Sequence, residues 1–225
     1  MRRTTWSILL AAAALGPWAA PAARGGLIVG NIGQTTTDEI AILASDQRLA
    51  VRVDLDDTFP TGYTLTSLVL TLSSSDTETV ALQLFADDSG VPGTPLADLG
   101  TAEVAGATPQ DITFTPPAPP ALTPGTSFWL VLGAPTAGDV PTLLWAATDS
   151  SALDAGSLPG ASLPTPYAIS DDGGATWRLS TNTLRPQIQL NGEAVPVVPE
   201  PSTLALAAIG GAGLLVYGRL RRRRA

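Results

Sequence analysis

The chain has 225 residues, of which 44% are hydrophobic and 14% are charged, and its formal net charge is −8. It contains no histidine, cysteine or lysine, which excludes histidine-based catalytic triads, thiol and Schiff-base chemistry, and disulfide cross-links. Between residues 25 and 198, four arginines oppose 19 acidic residues, so this part has a formal charge of −15. Such a charge disfavours nucleic acid as a partner and suits a soluble exported domain, although it also attracts divalent cations.

The first 24 residues predict a secretory signal peptide. Arg2 and Arg3 form a positively charged start, and an apolar core follows at residues 6–15. Small residues at positions 20–22 offer a cleavage site. We therefore expect the mature chain to begin near Ala23 or Gly25.

Residues 25–191 predict a single all-β domain. Helix signals are almost absent, and short runs of alternating apolar and polar residues are separated by turn sequences rich in Gly, Pro and Asp. The predicted strands are 51–55, 64–72, 80–85, 112–114, 127–132, 142–146, 176–179 and 187–190, and the predicted turns include 87–90, 92–93, 123–125 and 171–174. We expect an antiparallel two-sheet β-sandwich of jelly-roll type, with a barrel as the alternative.

The order of motifs between residues 59 and 133 resembles a known group of domains. Phe59 and residues 63–68 lead into a strand, residues 84–93 form a strand and a turn, and residues 122–132 form a turn and a strand. This order is similar to that of the choice-of-anchor extracellular domains of the R type. The resemblance covers about residues 30–190 and implies an extracellular β domain attached to a sorting tail. It assigns no activity to any residue.

Two neighbouring acidic residues, Asp87 and Asp88, are the candidate metal ligands of the domain. Together with backbone oxygens near Gly90 they offer the carboxylate and carbonyl groups that Ca²⁺ prefers. The alternative is a solvated turn, and the spacing matches no EF-hand loop. Calcium is the only cofactor that we consider.

Aromatic residues are the candidate contacts for a glycan. Phe128 and Trp129 are neighbours in a predicted strand, so they point to opposite faces of the sheet and one of them is a candidate for exposure. Trp145 lies in an apolar run and is expected in the core. We favour core packing for Trp129 and Tyr167, with a glycan groove lined by one of them as the alternative.

One short motif matches the Asp-box pattern Ser-x-Asp-x-Gly-x-Thr-Trp, which is known from sialidases and other propeller proteins. Its members are Ser170, Asp172, Gly174, Thr176 and Trp177. We expect the Asp172 carboxylate to accept hydrogen bonds from backbone N–H groups of the turn, and Trp177 to pack beneath it. Propellers repeat the box, whereas this chain has one copy. We therefore interpret it as a structural turn and not as a catalytic site.

The C-terminal residues predict an extended linker, a membrane helix and a basic tail. Residues 192–202 form the linker and contain the motif Pro199, Glu200, Pro201. Residues 203–218 have no formal charge and, at about 1.5 Å per residue, would span roughly 24 Å as a transmembrane helix. The tail at residues 219–225 holds the arginines that favour the cytoplasmic side of a membrane: Arg219, Arg221, Arg222, Arg223 and Arg224.

This order of short motif, apolar segment and arginine cluster resembles the PEP-CTERM sorting signal of Gram-negative bacteria that produce exopolysaccharide. The resemblance implies insertion in the membrane and processing near the Pro-Glu-Pro motif by an exosortase. An ordinary C-terminal anchor helix is the alternative. We expect an exported, non-enzymatic protein of the cell surface or extracellular matrix, associated with exopolysaccharide. The alternative function is a glycan-active hydrolase that uses paired carboxylates, or a glycan-binding module.

Overall fold

The structure, a computed structural model, describes residues 25–58, 62–133 and 143–195. The predicted signal peptide, most of the linker with its Pro-Glu-Pro motif, the predicted transmembrane helix and the basic tail lie outside these residues. Within the described ranges the chain forms strands and no helix, so no helix long and apolar enough to cross a membrane occurs there.

The described strands form two antiparallel sheets. Sheet 1 has the order β1-β15-β4-β10-β14, with β2 paired to β10 and with β7 and β8 paired to β4. Its members are β1 (Gly25–Gly30), β2 (Asp38–Ile42), β4 (Tyr63–Ser74), β7 (Gln110–Phe114), β8 (Ala121–Leu122), β10 (Leu143–Thr148), β14 (Arg185–Pro186) and β15 (Ile188–Ala194).

Sheet 2 has the order β13-β12-β3-β9-β5-β6, with β11 paired to β3. Its members are β3 (Arg48–Leu55), β5 (Glu78–Asp88), β6 (Val91–Val104), β9 (Thr126–Gly133), β11 (Ala161–Ser162), β12 (Ala168–Ser170) and β13 (Arg178–Leu179). The expectation of an all-β domain with two antiparallel sheets is confirmed.

The core lies between the two sheets and follows from the alternation of side chains along each strand. In β4, Leu68, Leu70 and Leu72 are no more than 1% exposed, and Leu82 in β5 is fully buried. Trp145 is also fully buried, as predicted, and its indole N–H donates to the backbone oxygen of Gln187 at 3.0 Å. Each buried side chain of this size stabilises the fold by about 1.5–3 kcal/mol relative to exposure.

A second apolar cluster lies apart from this core and includes Trp129. Phe128 belongs to the main core, whereas Trp129 packs with Ala50, Val131 and Ala168. The favoured prediction of core packing for Trp129 is confirmed, and the alternative, in which one of Phe128 and Trp129 is exposed, is wrong: they are 4% and 1% exposed. The reason is that Phe85 and Trp177 pack against the second cluster and shield it from solvent.

Tyr167 is likewise 6% exposed and belongs to the main core. Its hydroxyl accepts a hydrogen bond of 3.1 Å from the side-chain amide of Asn182. The favoured prediction of core packing is therefore confirmed for Tyr167 as well, and neither Trp129 nor Tyr167 is available as the sugar-stacking surface of the alternative.

The first and last described strands are neighbours in sheet 1. Gly25 pairs with Glu193 and Gly26 pairs with Gly192 in an antiparallel register. A nearby segment covers part of the other edge of β1, since the N–H of Leu158 donates to the backbone oxygen of Ile28 at 2.8 Å. The two ends of the domain therefore leave sheet 1 side by side.

Strand β6 was not predicted from the sequence, because its Pro and Gly residues are typical of turns. Pro92 and Gly93 lie inside this strand and not in a turn, which corrects the prediction at positions 92–93. The register with β5 shifts between Phe85 and Asp87, and such bulges accommodate residues that do not fit a regular ladder. The predicted strand at 176–179 is reduced to two residues, Arg178 and Leu179.

Candidate functional site at the Asp-box turn

The Asp-box turn connects β12 to β13 and is organised around the Asp172 carboxylate. Oδ1 accepts hydrogen bonds from the Thr176 backbone N–H at 2.8 Å and from the Ser170 hydroxyl at 2.7 Å, and Oδ2 accepts one from the Thr176 hydroxyl at 2.6 Å. The N–H of Gly174 donates to Ser170 Oγ at 2.8 Å. Gly174 has a backbone φ of 97°, a conformation that residues with a Cβ atom rarely adopt. Asp172 thus closes a turn.

These hydrogen bonds lower the pKa of Asp172 from 3.8 to about 2. The largest cause is the Thr176 hydroxyl, followed by the Thr176 backbone N–H and the Ser170 hydroxyl, all of which donate to the ionised carboxylate. A carboxylate with a lowered pKa is a poor general acid near neutral pH. This chemistry agrees with the structural interpretation of the Asp-box.

The turn is attached to the loop before β3. The N–H of Gly173 donates to the backbone oxygen of Asp46 at 2.6 Å, and the Gln47 side-chain amide donates to Asp171 Oδ1 at 2.8 Å. Arg178 pairs with Asp171 Oδ2 at 3.2 Å. The Gln47 hydrogen bond is the largest cause of a lowered pKa of Asp171, and Arg178 adds to it. These contacts hold the turn in place beside sheet 2.

The second candidate region is the hairpin between β5 and β6, which holds Asp87 and Asp88. Its two-residue turn has positive φ at Ser89 (56°) and Gly90 (92°), the conformation that tight hairpins require. Asp87 Oδ1 accepts a hydrogen bond from Trp129 Nε1 at 2.8 Å, and Oδ2 accepts one from the Gly90 N–H at 3.2 Å. Both oxygens of Asp87 therefore already have donors within the protein.

Asp88 is exposed, and its Oδ1 has a long contact of 3.4 Å with the Ser89 hydroxyl. Calcium usually takes six to eight oxygen ligands. Among residues 25–58, 62–133 and 143–195, no three acidic side chains converge on a common point where a metal ion could be held. The calcium site at Asp87 and Asp88 stays a prediction, and it would need backbone oxygens and water to complete the coordination.

A groove of about 460 Å³ lies between this hairpin and the Asp-box turn. A smaller depression of about 170 Å³ is also bordered by Trp177, together with Asp171 and Arg178. The structure thus brings the two predicted acidic regions to the same place, which sequence spacing does not reveal. The groove has one wall from the hairpin and one from the turn, formed by Asp88, Pro92, Thr94, Gly174, Ala175 and Trp177.

Trp177 is the aromatic residue that faces this groove, and the sequence analysis did not name it as a ligand contact. Its ring meets that of Phe85 edge to face, with 6.5 Å between centroids and an interplanar angle of 74°. Among the tryptophans of the described ranges, Trp129 and Trp145 are buried and Trp177 is half-buried. The sequence signal that could have identified Trp177 as a surface residue is its position directly after a predicted turn, because residues at such positions lie at the edge of a sheet.

The comparison with protein families concerns the C-terminal part of the chain. Residues 197–223 match the PEP-CTERM protein-sorting motif. The match includes Pro199, Glu200 and Pro201 and every arginine of the predicted cluster except Arg224. A search of curated proteins finds no match to the chain. The chain therefore has a PEP-CTERM sorting motif at residues 197–223, and this motif implies processing by an exosortase, a membrane enzyme.

Proposed function

We propose that the chain is a non-enzymatic protein of the cell surface or extracellular matrix, delivered there by an exosortase-type system. The single observation that carries this proposal is the sorting motif at residues 197–223. In the proposed sequence of events, the signal peptide at residues 1–24 directs export, and the helix at residues 203–218 holds the chain in the membrane. The arginines at 219 and 221–224 remain on the cytoplasmic side.

The arrangement of the domain is compatible with this role. Gly25 and Glu193 are paired in sheet 1, so the predicted cleavage site and the predicted linker attach at the same end of the domain. From Val195 to Pro199 there are four residues, which reach roughly 13 Å when extended. The Pro-Glu-Pro motif would therefore be presented close to the folded domain. The resemblance to choice-of-anchor domains, the Gram-negative host and the association with exopolysaccharide belong to the same proposal.

Two observations support a non-enzymatic role: the residue types that the chain lacks, and the structural hydrogen bonds made by two of its carboxylates. The chain has no histidine, cysteine or lysine. Asp172 and Asp87 both accept hydrogen bonds that hold the fold together. A glycoside hydrolase needs one carboxyl group as a proton donor and a second as a base or nucleophile. The groove beside Trp177 favours the second candidate function, which is glycan binding without hydrolysis.

Cell fractionation combined with intact-mass measurement of the exported protein tests the sorting proposal. We expect a mature form that has lost the signal peptide and the residues after the Pro-Glu-Pro motif. Replacing Pro199, Glu200 and Pro201 together by alanine should leave an unprocessed, membrane-bound form. Pro196→Ala is the matched control, because position 196 lies outside the matched motif. A wild-type mature mass that retains residues 203–225 would instead identify a plain membrane anchor.

A further inference from the structure

We propose that the groove beside Trp177 binds a neutral oligosaccharide chain, with Trp177 as the stacking surface and Asp88 as a hydrogen-bond acceptor. We call this surface the Trp177 groove; its lining includes Asp87, Asp88, Pro92, Thr94, Gly174, Ala175 and Trp177. The inference rests on the association with saccharide proposed above and deepens it by naming the site and the charge class of the ligand.

The first step of the argument is the orientation of Trp177. The edge-to-face contact with Phe85 and the closeness of Gly174, where an added Cβ would lie 3.6 Å from Trp177 Cζ2, define the position of the indole. Gly174 and Ala175 have no long side chains that could cover the ring. Flat aromatic surfaces of this kind pack against the apolar C–H faces of ligands, and the energetic gain is greatest when the ring is held in advance.

The second step concerns the polar groups. Asp87 is committed to Trp129 and to Gly90, so its carboxylate supports the hairpin from within. Asp88 lies next to it, is exposed, and has one long contact with Ser89. Its carboxylate therefore retains acceptor positions at the edge of the groove. Hydroxyl groups of a sugar can donate to these positions, and hydrogen bonds to an ionised acceptor are the stronger kind.

The third step is the charge of the ligand. The groove is lined by Asp87 and Asp88 and by no basic side chain. Arg52 lies nearby, and its Nε is 2.7 Å from Asp54 Oδ1 and 3.9 Å from Asp87 Oδ1. Its charge is therefore shared between these two carboxylates, and Asp88 is left without an ion pair within the described residues. Arg178 borders the smaller depression and is paired with Asp171. The exposed Asp88 carboxylate would repel a uronic-acid polymer, whereas it would not repel a neutral saccharide.

The fourth step is the length of the ligand. Trp177 borders both the groove of about 460 Å³ and the depression of about 170 Å³. A chain that stacks on the indole can therefore place further sugar units into space next to the ring. We expect a hexasaccharide to bind more tightly than the corresponding monosaccharide.

Isothermal titration calorimetry on the full chain in detergent tests the inference. The neutral probes are cellohexaose, maltohexaose and laminarihexaose, glucose is the short probe, and hexagalacturonate is the anionic probe. We expect at least one neutral hexasaccharide to bind. Trp177→Ala and Asp88→Ala should each weaken that binding, by roughly tenfold for the tryptophan. Leu179→Ala is the matched control, because Leu179 lies in the same hairpin, is 43% exposed and is not part of the groove.

Because Trp177→Ala also removes a packing partner of Phe85, a second variant is needed. Ala175→Gln fills the groove and leaves Trp177 in place, and we expect it to weaken binding as well. Binding that persists unchanged in Trp177→Ala and Ala175→Gln overturns the site but not the association with saccharide. Absence of binding to all three neutral hexasaccharides, or a preference for hexagalacturonate, overturns the inference. None of these results depends on processing of the tail, which the mass measurement tests separately.

Discussion

The indole N–H of Trp129 donates a 2.8 Å hydrogen bond to Asp87 Oδ1. This contact joins a tryptophan that is 1% exposed to a carboxylate at the end of β5, 42 residues earlier in the chain. It explains why Trp129 can be buried without leaving its polar N–H unpaired. It also gives Asp87 a structural role that is independent of any metal ion.

Asp87→Ala should destabilise the domain by about 1–3 kcal/mol, because it leaves the buried N–H of Trp129 without an acceptor. Asp87→Asn keeps an acceptor oxygen and should cost less. The free energy of unfolding from urea titration measures both. Asp88→Ala is the control and should change it little, since Asp88 is exposed and has one long hydrogen bond. Equal losses at both positions would contradict the assigned role of Asp87.

Asp172→Asn should make the domain less stable at neutral pH and should remove one component of its acid sensitivity. The folded pKa of Asp172 is about 2, below its ordinary value of 3.8. Because the folded state favours the ionised carboxylate of Asp172, its hydrogen bonds make their whole contribution to stability above pH 3.8. This contribution is lost as the pH falls from 3.8 to about 2. The difference in melting temperature between wild type and Asp172→Asn should therefore shrink across this window. Glu103→Gln, at an exposed position in β6, is the control. A difference that stays constant down to pH 2 would disprove the linkage.

Gly192→Ala should destabilise the domain by about 1–3 kcal/mol through overpacking. A Cβ at this position would lie 2.6 Å from Ile28 Cδ1 and 2.7 Å from the backbone oxygen of Thr64, between β1 and β4. Its register partner Gly26 provides the matched control, because a Cβ at Gly26 would meet nothing within 4 Å. Thermal or urea unfolding of the two variants should show a loss for Gly192→Ala and none for Gly26→Ala. The reverse order would contradict the pairing of β1 with β15.

Asn31→Ala should cost about 1–3 kcal/mol, since it leaves buried backbone groups of the C-terminal strands without partners. Asn31 is fully buried; its Oδ1 accepts from the Ile188 N–H at 2.8 Å, and its Nδ2 donates to the Pro186 oxygen at 3.2 Å. Asn182→Ala is the comparison, because Asn182 also makes side-chain hydrogen bonds but is exposed. Native-state hydrogen exchange should show faster exchange of the Ile188 amide in Asn31→Ala alone. Unchanged protection would show that Asn31 does not hold this strand.

Several elements of the fold could be predicted because their signals are local. The alternation of Leu68, Leu70 and Leu72 depends on a few consecutive residues, and these side chains are buried as expected. The turns at Gly90 and Gly125 also follow from local chemistry, since both glycines have positive φ. Strand β6 could not be predicted in this way. Its Pro and Gly residues contradict strand propensity, and it is held by pairing with β5.

The sequence predicted the separate parts of the candidate site but not that they border one groove. The Asp-box and the pair Asp87 and Asp88 were both noticed, but as separate features. Trp129 was considered as a ligand contact although it is buried, and Trp177 was not. Exposure of an aromatic residue depends on which residues cover it, and Trp129 is covered by Phe85, which lies about 40 residues earlier in the chain, and by Trp177, which lies nearly 50 residues later.

The sequence alone determined the all-β class, the exclusion of histidine, thiol and lysine chemistry, and the sorting motif. Short-range alternation is sufficient for the all-β class, composition for the exclusions, and a contiguous stretch of sequence for the sorting motif. The tertiary structure decided the pairing of β1 with β15, the burial of Trp129 and the meeting of the hairpin with the Asp-box turn beside Trp177. These features depend on contacts between residues far apart in the chain, and pairings at such separations are selected by packing rather than by local sequence.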